Sequence, residues 1–117
     1  MNEGIRLVQY IILRGDLKWP TGALIAQGCH ACSSIIFAHV NDETTQQYLK
    51  QGKDMHKVVL KAPDETALTN LASTLSTHNI SHCLWTEQPE NIYTCIAVKP
   101  YPKSQIEEHF RHLKLFR

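Results

Sequence analysis

The sequence predicts an α/β fold: one three-layer α/β/α domain over residues 1–117, with a mixed four-stranded sheet and the element order β-α-α-β-α-β-β-α. Three observations predict it. Apolar runs of strand length alternate with segments of helical period. The first run, IRLVQYIIL at 5–13, is almost continuously apolar and β-branched, as expected of a strand covered on both faces. The third and fourth strands are joined only by the polar stretch Glu87-Gln88-Pro89-Glu90-Asn91, which makes that pair antiparallel.

The elements follow in order. Residues 14–21 form a loop punctuated by Gly15 and Pro20. Residues 22–40 carry Leu24, Ala31, Cys32, Ile35, Ile36 and His39 at helical spacing, with Ala26, Gly28 and Ala31 small enough to pack closely on a sheet. After a turn at Asn41-Asp42, ETTQQYLKQ reads as a short polar helix ended by Gly52. HKVVLKA at 56–62 is the second strand. Pro63-Asp64-Glu65 opens a helix with acids in its first turn, where the macrodipole favours them. Its apolar face is Leu68, Leu71, Ala72 and Leu75, and Asn79 ends it. SHCLWT at 81–86 and IYTCIAV at 92–98 are the third and fourth strands. Pro100 and Pro102 break the last one, and 103–112 forms a closing helix with Ile106, Phe110 and Leu113 inward.

Composition excludes several function classes. Hydrophobic residues are 43% and charged residues 20%, an ordinary globular balance. A net charge of +1 does not by itself imply nucleic-acid or membrane binding, so RNA contact would need a local basic patch. Lys99, Lys103, Arg111, Lys114 and Arg117 are candidates for one, interrupted by Glu107 and Glu108. No apolar run approaches the ~20 residues of a membrane span, and MNEGIR does not resemble a signal peptide. The expected setting is the cytoplasm.

Cys29 and Cys32 form a CxxC. They fall two turns inside a helix rather than at its N-terminus, where the dipole would lower a thiol pKa, and no second CxxC completes a zinc site. They read as small apolar packing residues. His109 and His112 share a helical face without a third ligand nearby and read as solvated histidines. No metal is assigned.

Three blocks carry a resemblance. RGDLKWPTGALIAQGCHA (14–31) is similar to R-x-D-L-K-M-G-K-G-K-x-A-A-Q-x-x-H-A, the opening of the type II (archaeal and eukaryotic) peptidyl-tRNA hydrolases. HKVVLKAPDETAL resembles their K-V-V-x-K-x-x-D-E-x-x-L, and TCIAVKPYP with HLKLF resembles their closing segments. The wording of WPTGALIAQGCHA and LWTEQPENIYTCIA looks closest to the eukaryotic branch of peptidyl-tRNA hydrolase domain-containing proteins. The resemblance implies hydrolysis of the ester between a peptide and tRNA, with no metal or organic cofactor, in a homodimer.

Carried over position by position, Asp16, Leu17 and Lys18 match D-L-K, and Gln27, His30 and Ala31 match Q-x-x-H-A. The family's catalytic Lys falls on Ala23. Its catalytic Asp lies in a loop that is shorter here, where Glu87 is the nearest acid; Thr94 matches a family Thr, and a second Thr has no counterpart.

Ester hydrolysis needs a placed water, a proton acceptor and donors for the oxyanion. Glu87, Thr94, Lys18 and His30 are therefore the candidate catalytic residues, and Asp16, Trp19 and Gln27 the candidate substrate-binding ones. Each has a plainer reading. Glu87 reads equally as a turn carboxylate, His30 as a core histidine holding the loop and Gln27 as a cap. Lys18 reads as an exposed lysine, Trp19 as a pin rather than a base-stacking platform, and Thr94 as an ordinary strand threonine. Two functions stay open: a peptidyl-tRNA hydrolase weakened by Ala23, or a non-catalytic binder of tRNA or another RNA on the same fold.

Overall fold

The structure, a computed structural model, describes residues 5–117; residues 1–4 of the expected domain lie outside the described part. β1 (Leu7–Arg14) is buried at every position but its last, as a two-sided apolar run predicts. It is central in the sheet. β2 (Lys57–Ala62) pairs with it in parallel, and β4 (Ile92–Val98) lies antiparallel on its other side. β3 (His82–Glu87) is antiparallel to β4, so β1, β2 and β3 all point the same way. Their carboxyl ends and the start of β4 share one edge of the sheet, the edge where such sheets hold ligands.

Helices cover both faces. On one face α1 (Thr21–Ala38) sets Ala31 and Ile35 against Ile11, Leu13, Cys95 and Ala97. On the other, α3 (Glu65–Thr77) sets Leu68, Leu71 and Leu75 against Tyr10, Ile12, Leu60 and Ile96. Burying these side chains contributes roughly 1.5–3 kcal/mol each before chain entropy is counted. α2 (Glu43–Lys50) is capped by Asp42, which accepts from Thr45 N at 3.0 Å, and is anchored by the fully buried Tyr48. Asn79, at φ +56°, ends α3 as its sequence position predicts.

The sheet has six strands among the described residues, not the expected four. β5 (Tyr101–Pro102) pairs with the start of β1, and β6 (Lys114–Leu115) with the outer edge of β2. Each is two residues long, too short to show a period-2 pattern in sequence. The closing helix is also shorter than 103–112. α4 spans Lys103–Ile106 and tightens into a 3₁₀ turn over Glu107–Phe110. The tighter turn seats Phe110 on Tyr10, with ring centroids 4.3 Å apart, and returns the chain to the sheet edge at Lys114. His109 is not solvated as expected: its ring lies 4.6 Å from that of His78.

α1, 18 residues with mean hydropathy 1.2, is by length and composition the one helix among the described residues apolar enough to cross a membrane. In this fold it forms the covering layer of the α1 face.

Candidate active site

The carboxyl edge of the sheet holds five of the seven candidate residues and brings four of them, Glu87, Thr94, Gln27 and His30, into one group. Glu87 ends β3, Thr94 begins the buried part of β4, Gln27 and His30 lie on α1, and Asp16 follows β1.

Thr94 is the extra residue of a β-bulge. Trp85 pairs with Cys95 and Thr86 with Tyr93, so one step along β3 matches two along β4 and Thr94 has no partner. A bulge re-aims a side chain. Here it sends the Thr94 hydroxyl into the fold, where Oγ1 donates to Gln27 Oε1 at 2.7 Å. Both residues are almost wholly buried, Thr94 at 0% exposure and Gln27 at 2%. Gln27 Nε2 donates to the Ala23 carbonyl at 3.3 Å. A glutamine inside an apolar helix is thus a built connection between α1 and β4, and its amide lies near enough to Glu87 to help hold that carboxyl low.

Glu87 Oε1 accepts from the Trp85 indole N–H at 3.1 Å, and the Trp85 ring carries His30 stacked on it, centroids 4.9 Å apart and 14° from parallel. The indole bond foremost, then Gln27 and the nearby His30, hold the Glu87 carboxyl below its ordinary value. The carboxylate is therefore ionised across the neutral range.

Asp16 does not face this group. It is engaged by Arg14, whose Nε and Nη2 donate to its two oxygens at 3.0 and 2.9 Å, and the Arg14 bond holds the Asp16 carboxyl below the ordinary range. Arg14 Nη1 reaches on to the Tyr93 carbonyl at 3.1 Å. Lys18 is exposed and Trp19 half-buried; neither makes a hydrogen bond, ion pair or ring contact among the described residues. Ala23, at the family's Lys position, is half-buried in the first turn of α1.

The proposed basic patch is partly dismantled. Lys99 is only 6% exposed, pairs with Asp42 at 2.7 Å and lies past the far end of β4, so it cannot meet an RNA phosphate at this edge. Arg111 pairs with Glu107 at 3.7 Å. Lys114 is exposed opposite Lys61, whose chain crosses Gly15 so closely that a Cβ there would come within 2.5 Å of it. A side chain at Gly15 would push the Lys61 chain aside, and the Lys61 ammonium itself is held by the Arg117 carbonyl at 3.1 Å.

The thiols of Cys32, Cys83 and Cys95 are pushed up by burial, the opposite of a reactive cysteine, whereas Cys29 is exposed rather than packed as its spacing suggested. Among the described residues no group of three His, Cys, Asp or Glu could hold a metal ion. Sequence reasoning missed Arg14, Glu65 and Trp85. Arg14 opens the R-x-D-L-K block and could have been found there; no local pattern announces the Trp85–His30 stack, which spans two elements.

The comparisons with known proteins show the family. The human and mouse proteins named "Putative peptidyl-tRNA hydrolase PTRHD1" are each 50% identical over 116 residues, covering 95% of this chain and 83% of theirs. A protein of Methanopyrus kandleri named peptidyl-tRNA hydrolase is 30% identical over 115 residues, covering 93% of this chain and 97% of its own. A solved structure described as a protein of unknown function from Agrobacterium tumefaciens strain C58 superimposes with a TM-score of 0.66 at 14% identity, covering 95% of this chain and 98% of that one, a likeness of fold alone. The family description "Peptidyl-tRNA hydrolase PTH2" matches residues 7–116, and the chain belongs to that family.

Proposed function

We propose that the protein is a slow, metal-independent hydrolase of the ester between a peptide and the ribose of tRNA, acting in the cytoplasm as a homodimer. The observation that carries the reading is the pair of hydrogen bonds Thr94–Gln27 and Trp85–Glu87, set side by side at the carboxyl edge of the sheet. There the Glu87 carboxylate takes a proton from the attacking water. Trp85 fixes one carboxyl oxygen, leaving the other for that water. The Thr94 hydroxyl, sealed from solvent, does not touch that water; it donates to Gln27 and so holds the amide that lies beside Glu87. His30, exposed on top of Trp85, is placed to serve the leaving ribose hydroxyl. Lys18, free in the loop, meets phosphate or the developing oxyanion, and Trp19 stacks on a terminal base.

Two features make the reaction slow. A carboxylate held below its ordinary pKa is a weak base. Ala23 leaves the cationic position of the family empty, which is also what favours the second reading, a tRNA binder without catalysis.

The test is hydrolysis of a defined N-blocked aminoacyl-tRNA, paired with tRNA titrations at two salt concentrations. Ester cleavage lost in Glu87→Gln supports the hydrolase. Salt-dependent binding without cleavage moves the protein to the binder reading, and neither cleavage nor binding removes both.

A further inference from the structure

We infer that Arg14 and Glu65 are positioning residues: together they clamp the bulge in β4 and so keep the Thr94 hydroxyl aimed at Gln27. The kinetic part of this inference rests on the hydrolase reading of the same site.

The need for a clamp follows from the ladder. β1 pairs with β4 through Ile11–Ala97, Ile12–Ile96 and Leu13–Cys95, and no pair continues to Arg14. On the other side of β4 the bulge leaves Thr94 unmatched. The peptide just before Thr94 therefore lies where the β1 ladder has stopped and the β3 ladder is interrupted, the place where a strand is least constrained. Side chains take over. Arg14 Nη1 donates to the Tyr93 carbonyl at 3.1 Å, and Glu65 Oε2 accepts from the Tyr93 N–H at 2.9 Å. Both polar groups of Tyr93 are thus held by charged partners, and the two partners lie 3.7 Å apart.

The clamp is itself fixed at both ends. Arg14 is the last residue of β1, is only 12% exposed at its side chain, and is gripped in two-point fashion by Asp16. Glu65 is the first residue of α3, directly after the Asp64 cap, so the rigid start of a helix presents its carboxylate. Asp16 then has a role that its exposed position does not suggest: it orients Arg14 rather than touching substrate. Displacing Tyr93 moves Thr94 with it, and an error of about 1 Å in a positioned group can cost as much as ~10²-fold in rate.

Arg14→Lys and Glu65→Met keep size and most packing, and Glu65→Met removes the acceptor of the Tyr93 N–H. In protein with labelled threonine methyl groups, each variant is expected to shift the Thr94 methyl resonance while leaving that of Thr45, buried in α2, in place. With N-blocked aminoacyl-tRNA each is expected to lower kcat about 10- to 100-fold with KM changed less than twofold. In a Thr94→Val background the further loss should disappear, because the group being aimed is gone. An unmoved Thr94 resonance in both variants overturns the clamp, as does an unchanged kcat in a protein that cleaves the ester. If the natural protein cleaves nothing, the hydrolase reading fails alone, and the Thr94 resonance still decides the clamp.

Discussion

The Thr94 hydroxyl donates to the Gln27 side-chain carbonyl at 2.7 Å, with both residues sealed from solvent, and this bond ties β4 to α1 at the edge where Glu87 ends β3. Removing one partner strands the other. Thr94→Val keeps the shape but leaves Gln27 Oε1 buried without a donor, which costs about 1–3 kcal/mol. Thr94→Ser retains the hydroxyl and should lose less. Chemical denaturation checks this: the valine variant is expected to show a lower midpoint with unchanged slope, and its hydrolysis should fall further than its stability explains.

The pH dependence of hydrolysis separates Glu87 from His30 as the base. The Glu87 carboxyl is held low by the Trp85 indole first, then Gln27 and His30, so it is ionised at every pH above its ordinary value of 4.5. Its contribution is present throughout the neutral range and is lost only as pH falls below that value. The expected kcat/KM profile is flat from pH 8 down to about 5. An acid limb centred near 6.5 would instead report an imidazole and transfer the role to His30. Trp85→Phe removes the indole donor and should move a carboxylate limb upward.

Acid stability has its own source at the opposite edge. Lys99 is buried against Asp42 at 2.7 Å, and the Lys99 bond is the main reason the Asp42 carboxyl lies below its ordinary value of 3.8. A lowered folded-state pKa stabilises the fold above the unfolded value and loses that contribution as pH falls through the folded one. The loss is therefore expected below about pH 4, together with the similarly lowered Asp16. Asp42→Asn keeps a capping oxygen for α2 but removes the counter-charge of Lys99; with Asp42 partly exposed and Lys99 still donating to the Pro100 carbonyl at 3.1 Å, the cost is expected at about 1 kcal/mol. Lys99→Met should cost less. Thermal unfolding of the two variants at pH 7 makes the comparison, and equal losses would mean that the pair contributes only through the cap.

The elements that sequence predicted well are those with a strong period. The buried run of β1 and the face Leu68–Leu71–Leu75 of α3 matched their patterns because many side chains agree on one direction. β5 and β6 were invisible because two residues cannot show a pattern, and the shortened α4 because Ile106 and Phe110 satisfy a 3₁₀ turn as well as a helix. In the site, Gln27, His30 and Thr94 were found through the family blocks, and so was Glu87 as the nearest acid. What those blocks could not show is that Thr94 lies on a bulge, that Trp85 carries His30, or that Lys99 is spent on Asp42. Each depends on residues far apart in sequence.

The missing cation gives the sharpest test. Ala23 stands in the first turn of α1, and its carbonyl accepts from Gln27, the residue that accepts from Thr94 beside Glu87. A lysine there would start within the same turn as the site and extend a positive charge toward the Glu87 carboxylate and the carbonyl oxygen under attack. Removing one oxyanion donor from a comparable site typically costs about 10²–10³ in rate. Ala23→Lys is accordingly expected to raise kcat on N-blocked aminoacyl-tRNA by up to about 10²-fold, with the Gln27–Thr94 bond intact. The gain should vanish with Glu87→Gln, because a cation cannot replace the base. Lys18→Ala in the natural protein supplies the converse: a large loss there, with no gain from Ala23→Lys, would mean that the loop lysine already occupies the oxyanion position. If no variant cleaves the ester while tRNA binding persists, the Glu87 end of β3 holds RNA rather than water, and the fold serves recognition alone.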